Sequence, residues 1–308
     1  MRTRSRFGGL KAAGYALLAL IPTLAHAQAP PAALLVLQVP PSARPASLAG
    51  AWVAGRDNDV IFYNPAQLIG ARSGFNFSFT QHGPASRSAS VASTSTAGKW
   101  SLTLGWGAQV LTFDAPEASP YPFTRDVLVD GESSNALSAQ LGVGGAIVYK
   151  NVRIGATGKY ATDRFSSTDA HAFLLDLGAA RNLLGGVVAG SVQNIGRGYS
   201  NGSRVDVPRQ VLAGYAISRP LGEFDVALLT QVTFRKDWTS QAAGVDLGYS
   251  WIEGYSVAVR AGVMRPFAET QQPFTLGGAF TADRLTVEYG VQFFDAGRAS
   301  HTVTVRWQ

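Results

Sequence analysis

The chain has 308 residues, of which 46% are hydrophobic and 15% charged, with 34 glycines and no cysteine. The absence of cysteine excludes a disulfide-stapled fold, thiol catalysis and any cysteine-ligated metal. Residues 1–27 hold four of the 26 Lys and Arg and none of the 20 Asp and Glu, so the formal charge of +6 falls to +2 beyond them. That leaves no basic excess of the kind a nucleic-acid partner requires.

Residues 1–27 read as a secretory signal peptide. Arg2, Arg4, Arg6 and Lys11 form a basic start, Ala12 to Leu24 an apolar core, and Ala25-His26-Ala27 a small-x-small cleavage site near Ala27. No later run reaches the length of about 18 apolar residues needed for a helical membrane span. An exported chain of this composition leaves two classes, a soluble β-protein and an outer-membrane β-barrel.

Residues 28–72 are expected to form a small hatch that plugs whatever follows. Gln28 to Pro45 is rich in Ala and Pro and reads as an extended lead-in. Ala46 to Gly70 then combines a small-residue apolar piece, a charged turn (Arg56, Asp57, Asn58, Asp59) and an apolar run ending at Tyr63. Asn64 has the chemistry of a helix N-cap, and Pro65 suits the first helical position because its missing N–H has no intrahelical partner to lose.

From residue 73 to 308 the hydrophobic period becomes two, the mark of strands with one wet and one apolar face. Phe75, Phe77 and Phe79 alternate with Asn76, Ser78 and Thr80; Trp100, Leu102, Leu104 and Trp106 alternate with Lys99, Ser101, Thr103 and Gly105. The pattern places strands near 73–81, 86–94, 99–110, 136–149, 151–161, 171–180, 185–193, 209–218, 224–235, 240–251, 254–264, 273–282, 284–295 and 299–308. Fourteen is an even number, as in closed bacterial barrels, and the longer connections (111–135, 194–208) alternate with tight ones, as they do there. The predicted fold class is therefore an all-β transmembrane antiparallel barrel.

Charge follows the same parity. Lys99, Arg153, Lys159, Asp176, Asp225, Asp246, Arg260, Glu288 and Arg306 fall on the polar face of their strands. A Lys or Arg facing lipid at mid-depth would cost about 2–4 kcal/mol. The near balance of basic and acidic residues predicts a structural network clamping the hatch, with Arg56, Asp57 and Asp59 as the hatch's own pairing groups, over a single-signed selectivity ring. Trp100, Tyr149, Trp251, Tyr255 and Trp307 fall outward near tight turns, where an aromatic girdle belongs. Strands six and nine are apolar on both faces (Phe173, Leu174, Leu175, Leu177; Val226 to Leu229), which implies inward packing on the hatch or an apolar ligand path.

The residues Ala49-Gly50-Ala51-Trp52-Val53-Ala54, Asp57, Tyr63-Asn64-Pro65-Ala66 and Leu68 resemble the N-terminal hatch of the FadL-like outer-membrane superfamily. Ser191-Val192-Gln193-Asn194-Ile195-Gly196 and Val207-Pro208-Arg209 look like its PorV/PorQ branch, while Asn58, Asp59 and Gln67 depart from the pattern. The resemblance implies a 14-stranded barrel with a hatch in the lumen, and in FadL-like members the uptake of hydrophobic compounds.

Catalytic motifs are missing. His82, His171 and His301 lie apart, with no G-x-S-x-G, H-E-x-x-H or EF-hand spacing, so no catalytic residue, metal or cofactor is expected. Glycines on the polar rows (Gly105, Gly142, Gly144, Gly178, Gly248, Gly262) are read as room for the hatch. Two functions remain from the sequence. One is passive transport of small hydrophobic molecules across the outer membrane, with lipid around the barrel and a hydrophobic ligand within. The other is a non-transporting component of type IX secretion or surface-protein attachment, which needs a protein partner.

Overall fold

The computed structural model describes residues 34–83, 86–97, 102–113, 136–165, 168–200, 202–236, 238–267 and 270–308. The expected signal peptide, Lys99, Trp100 and the long connection after Phe113 lie outside the described residues. The described wall begins with β1 (Gly74–His82), β2 (Ser86–Ala97), β3 (Leu102–Phe113), β4 (Ala136–Tyr149) and β5 (Val152–Phe165). It continues through β6 (Thr168–Leu183), β7 (Gly186–Ser200), the three-residue β8 (Ser203–Val205), β9 (Gln210–Leu221) and β10 (Phe224–Arg235). It ends with β11 (Trp238–Ile252), β12 (Tyr255–Met264), β13 (Gln271–Ala282), β14 (Leu285–Phe294) and β15 (Ala299–Trp307).

Each long strand pairs antiparallel with its sequence neighbour, and β1 pairs with β15 from Phe75↔Trp307 to His82↔Ser300, which closes the sheet. Short β8 only folds back on the end of β7, so the closed wall has fourteen strands, as the periodicity predicts. Closure removes both sheet edges and carries the backbone pairing around the wall, the condition for a sheet in lipid.

The two ends of the barrel differ. At the turn end, two-residue turns join β4 to β5 through Lys150–Asn151 and β6 to β7 through Leu184–Gly185, all four with positive φ (48°, 65°, 53° and 74°). Positive φ at both central residues is what a tight hairpin demands, because it matches the right-handed twist of the strands. β1 starts and β15 stops at this end. The longer connections are all at the other, loop end.

Side chains alternate between the two faces along the regular stretches of the wall. Phe75, Phe77, Phe79, Leu141, Val143, Val303 and Val305 stand outward and exposed, while Asn76, Ser78, Thr80, Ser138, Gln140, Thr302 and Thr304 are buried inward. The outer surface is thus an apolar belt, and Tyr149, Trp251, Tyr255 and Trp307 crowd its turn end. Trp251 lies 6.3 Å from both Tyr255 and Phe280, ring centre to ring centre.

The hydrophobic core is inside the barrel and is not made by the wall alone. Leu48, Ala51, Trp52, Val60, Ile61 and Leu68, all from the segment preceding β1, pack with wall residues Ala92, Ala146, Leu229, Ala242 and Met264. A wall of fourteen strands is too wide for its own side chains to fill, since about eight strands is the limit for that.

Candidate functional site

Residues 34–73 run through the lumen from the loop end to the turn end. At the loop end the amides of Leu34 and Leu35 donate to the carboxylate of Asp163 on β5, and Val36 N donates to Ser138 Oγ on β4 at 2.9 Å. Helix α1 (Ala43–Ser47) then lies against β13 to β15; Ala43 N donates to Thr304 Oγ1 at 2.8 Å and Thr275 Oγ1 to the Ser47 carbonyl at 2.8 Å. The chain crosses to β10, where the amides of Trp52 and Val53 both donate to Gln231 Oε1 at 3.0 and 2.8 Å. A turn at Asn58–Phe62 meets β2 and β3, and a second at Pro65–Gly70 meets β4 to β6. The segment therefore touches the inner wall on every side before leaving at Arg72, whose carbonyl accepts from Thr94 Oγ1 at 2.7 Å.

The composition of residues 28–45 predicts an extended lead-in. Within the described part, Leu35–Gln38 and Ala43–Ser47 are instead helical turns. The Ala/Pro composition there misleads because burial against the wall, not local propensity, fixes these turns. Asn64 caps as its position predicts, its Oδ1 accepting from Ala66 N at 3.1 Å with Pro65 following. Its Nδ2 donates to the Val53 carbonyl at 3.0 Å, joining the two halves of the segment.

Wall glycines let the backbone of this segment sit directly on the sheet. A Cβ at Gly155 would lie 2.6 Å from Ala66 N, and one at Gly262 2.6 Å from Ala49 N. Gly105 and Gly178 serve the same purpose under Leu68 and Asn64, as expected from the sequence; Gly142, Gly144 and Gly248 face wall neighbours instead. Gly107, Gly214, Gly244, Gly277 and Gly290 also take the segment, and inward parity would have located each of them. Inward Leu174 and Leu229 pack on segment residues, which accounts for the apolar inner faces of β6 and β10.

The charges form a closed ring of alternating sign. Arg44 contacts Asp57 at 2.8 Å, Asp57 contacts Arg306 at 2.9 Å, and Arg306 contacts Glu288 at 2.8 Å. Glu288 contacts Arg260 at 2.9 Å, Arg260 contacts Asp246 at 3.0 Å, and Asp246 returns to Arg44 at 2.8 Å. Two members, Arg44 and Asp57, belong to the segment; four belong to β11, β12, β14 and β15. Three guanidinium groups balance three carboxylates, so the ring is neutral and pins the segment without creating a selective charge.

The ring departs from the sequence expectation in several places. Arg44, which composition assigns to the lead-in, is one of its three cations. Asp225 is exposed and outside the ring, and Arg153 makes no ion pair among the described residues, donating to Asn182 Oδ1 at 3.2 Å. Lys159 and Asp176 form a separate buried pair at 2.8 Å. Arg56 is exposed and makes no ion pair among the described residues. Asp59 pairs within the segment rather than with the wall, accepting from Trp52 Nε1 at 2.8 Å and from Ser42 Oγ.

Electrostatics separates the two segment carboxylates. Burial pushes Asp57 up, but Arg306 and then Arg44 outweigh it and bring its pKa to about 2. Burial and the neighbouring charge of Asp57 push Asp59 up to about 6. Burial lowers Arg44, and Asp57, Asp246 and Glu288 more than reverse that, holding it above the usual guanidinium range.

The lumen is divided in two by the segment. On the turn side a vestibule of ≈ 720 Å³ is floored by the ion-pair ring and opens past Arg56, Arg72 and Asp283. On the loop side a chamber of ≈ 100 Å³ is lined by Leu37, Val39, Phe62, Tyr63, Leu212, Met264 and Phe267 together with eight glutamines. Several of those amides hold the segment: Gln193 Nε2 donates to the carbonyls of Phe62 and Tyr63, and Gln210 and Gln38 accept from Arg235 at 2.9 and 3.0 Å. Gln38 belongs to the segment; the other seven lie toward the loop end of β3, β4, β7, β9, β10, β13 and β14, a pattern that strand parity alone would have located.

The Gln193-Asn194 motif has a structural meaning as well. Two β7 residues, Gln193 and Asn194, face the single residue Asp176 of β6, a β-bulge with Asn194 at φ 59°. Asn194 N donates to Asp176 Oδ1 at 2.8 Å, Lys159 Nζ to Asn194 Oδ1 at 2.6 Å, and Asn194 Nδ2 to the Pro208 carbonyl at 2.7 Å. Both resemblance motifs thus meet at one bend of the wall.

No protein-family model and no curated protein matches this chain. Among solved structures, a FadL homologue of Pseudomonas aeruginosa matches with a TM-score of 0.53 at 10% identity, over 87% of this chain and 98% of that one. The deltaS2 mutant of the TodX monoaromatic hydrocarbon channel matches with a TM-score of 0.50 at 11% identity, over 85% of this chain and 96% of that one. At such identities the likeness is one of fold.

Proposed function

We propose that this chain is a bacterial outer-membrane channel for passive entry of small hydrophobic molecules, with residues 34–72 as its hatch. The observation that carries the reading is the partition of the lumen: a partly apolar chamber at the loop end, a wet vestibule at the turn end, and one continuous segment between them. The apolar outer belt and the fold shared with a hydrocarbon channel support it. The chamber is smaller than the ~150 Å³ apolar cavity that holds a benzene molecule. A one-ring hydrocarbon therefore enters only when segment side chains such as Leu37, Phe62 and Tyr63 give way, which limits the cargo to small compounds.

Two measurements test the reading. Deleting residues 46–70 is expected to open ion conductance across planar bilayers, and benzene is expected to enter cells carrying the intact chain severalfold faster than cells lacking it. Unchanged conductance removes the hatch from the scheme; equal entry rates remove the transport.

A second reading, a non-transporting scaffold of the PorV type for secretion or surface-protein attachment, is favoured by the closed ion-pair ring, which holds the segment from both sides. It requires a stable partner, so pull-downs in mild detergent that repeatedly recover none would count against it.

A further inference from the structure

We propose that the groove in the outer wall beside the β7 bulge binds the phosphorylated headgroup of an outer-leaflet lipid. The inference rests on the membrane reading above and not on the transport reading.

The wall loses its regular ladder at this point. β9 pairs with β7 only as far as Gln193↔Gln210, and beyond the bulge β7 runs on to pair with β8. A groove of ≈ 720 Å³ opens where the two strands part. Its lower lining is apolar: Val211 and Phe234 stand outward on β9 and β10, continuous with the lipid-facing belt, with Val205 and Val207 beside them. The rest is cationic, with Arg197, Arg204, Arg209, Arg235 and Lys236 against Asp206, the one carboxylate lining it among the described residues.

None of these five cations takes part in an ion pair among the described residues. Arg235 is turned inward onto Gln210 and Gln38; the other four are exposed. Arg209 also donates to the Gly196 carbonyl at 3.2 Å. Elsewhere at the loop end cations stand singly: Arg164 lies 3.4 Å from Asp169, Arg298 bonds to the Asp295 carbonyl at 3.3 Å, and Arg87 is exposed. An unmatched basic cluster in one groove is therefore not a general property of this rim.

The levels of these residues choose between ligands. Arg209 immediately precedes β9 and Lys236 immediately follows β10, each two positions along the chain from outward Val211 and Phe234 respectively. Cations directly above an apolar floor match a phosphate carried directly above acyl chains. A free anion gains nothing from the apolar floor. Guanidinium groups suit phosphate because their forked donors bind two of its oxygens at once, with charge assistance.

The test is native mass spectrometry of the full chain in detergent, titrated with bisphosphorylated lipid A and with the same glycolipid after enzymatic dephosphorylation. The chain is expected to prefer the phosphorylated form by about tenfold. The variant R197Q/R204Q/R209Q/K236Q is expected to lose that preference while keeping the heat-modifiable gel migration of a folded barrel. If the quadruple variant does not fold, R204Q/K236Q is read instead and is expected to lose part of it. Equal retention of the two glycolipids, or an unaltered preference in a folded variant, overturns the proposal. So does displacement of the lipid by inorganic phosphate alone, which would mark a free-anion site. Benzene entry is measured on the same variants: its loss or absence bears on the transport reading, and phosphate-dependent retention bears on this one.

Discussion

Replacing Asp57 by asparagine breaks the ion-pair ring at the point where the segment meets the wall. Asp57 lies 2.8 Å from Arg44 and 2.9 Å from Arg306, and asparagine keeps its volume while removing the charge. Removing one partner of a buried pair costs about 3–5 kcal/mol when the other is left alone. Here each guanidinium keeps a second carboxylate, Arg44 at Asp246 and Arg306 at Glu288, and the Arg44 side chain remains 27% exposed. The loss is therefore expected at or below the lower end, about 2–3 kcal/mol. At about 1.4 kcal/mol per factor of ten, the detached segment becomes roughly 30- to 150-fold more populated. Planar-bilayer recordings of Asp57→Asn should show that increase as a larger open fraction, with heat-modifiable migration confirming an intact barrel. An unchanged open fraction in a folded variant would refute the idea that the ring clamps the segment.

Asp59 predicts the pH dependence of the same clamp. Its pKa of about 6 lies above the ordinary carboxylate value of 3.8, so the packed segment binds its proton more tightly than the released one. Stability of the packed state then rises as pH falls from about 6 toward 3.8, by up to roughly 1.4 kcal/mol per pH unit. Asp57, depressed to about 2, opposes this only below 3.8. Openings should thus be rarer at pH 5 than at pH 7.5, and Asp59→Asn should flatten that difference; a profile identical to wild type contradicts it. Gly155→Val should push residues 65–70 off β5 at a cost of about 1–3 kcal/mol, read as increased conductance. Gly158→Val, where an added Cβ meets nothing within 4 Å, should be silent. Lys159→Met leaves Asp176 charged and buried, and should lower the urea midpoint of the vesicle-embedded barrel by the equivalent of about 3–5 kcal/mol. Replacing Asp176 as well, by leucine, should recover most of that, and failure to recover would mean that the pair is not the cause.

The wall was legible in the sequence because its cause is local. A side chain's face depends only on its parity along the strand, so Phe75, Phe77 and Phe79 announce lipid and Asn76, Ser78 and Thr80 announce the lumen. The tight turns, the strand number and the cap at Asn64 follow from equally short-range rules. Partners across the lumen obey no such rule. Asp57 meets Arg306 and Arg44 meets Asp246 because a folded segment carries them through space to strands roughly 200 to 250 residues away in sequence, whereas Asp225 and Arg153, of the same parity, meet no opposite charge among the described residues. Parity states that a charge points inward. Only the path of the segment decides which inward charges are joined, which glycines lie under its backbone, and where the wall between β7 and β9 parts.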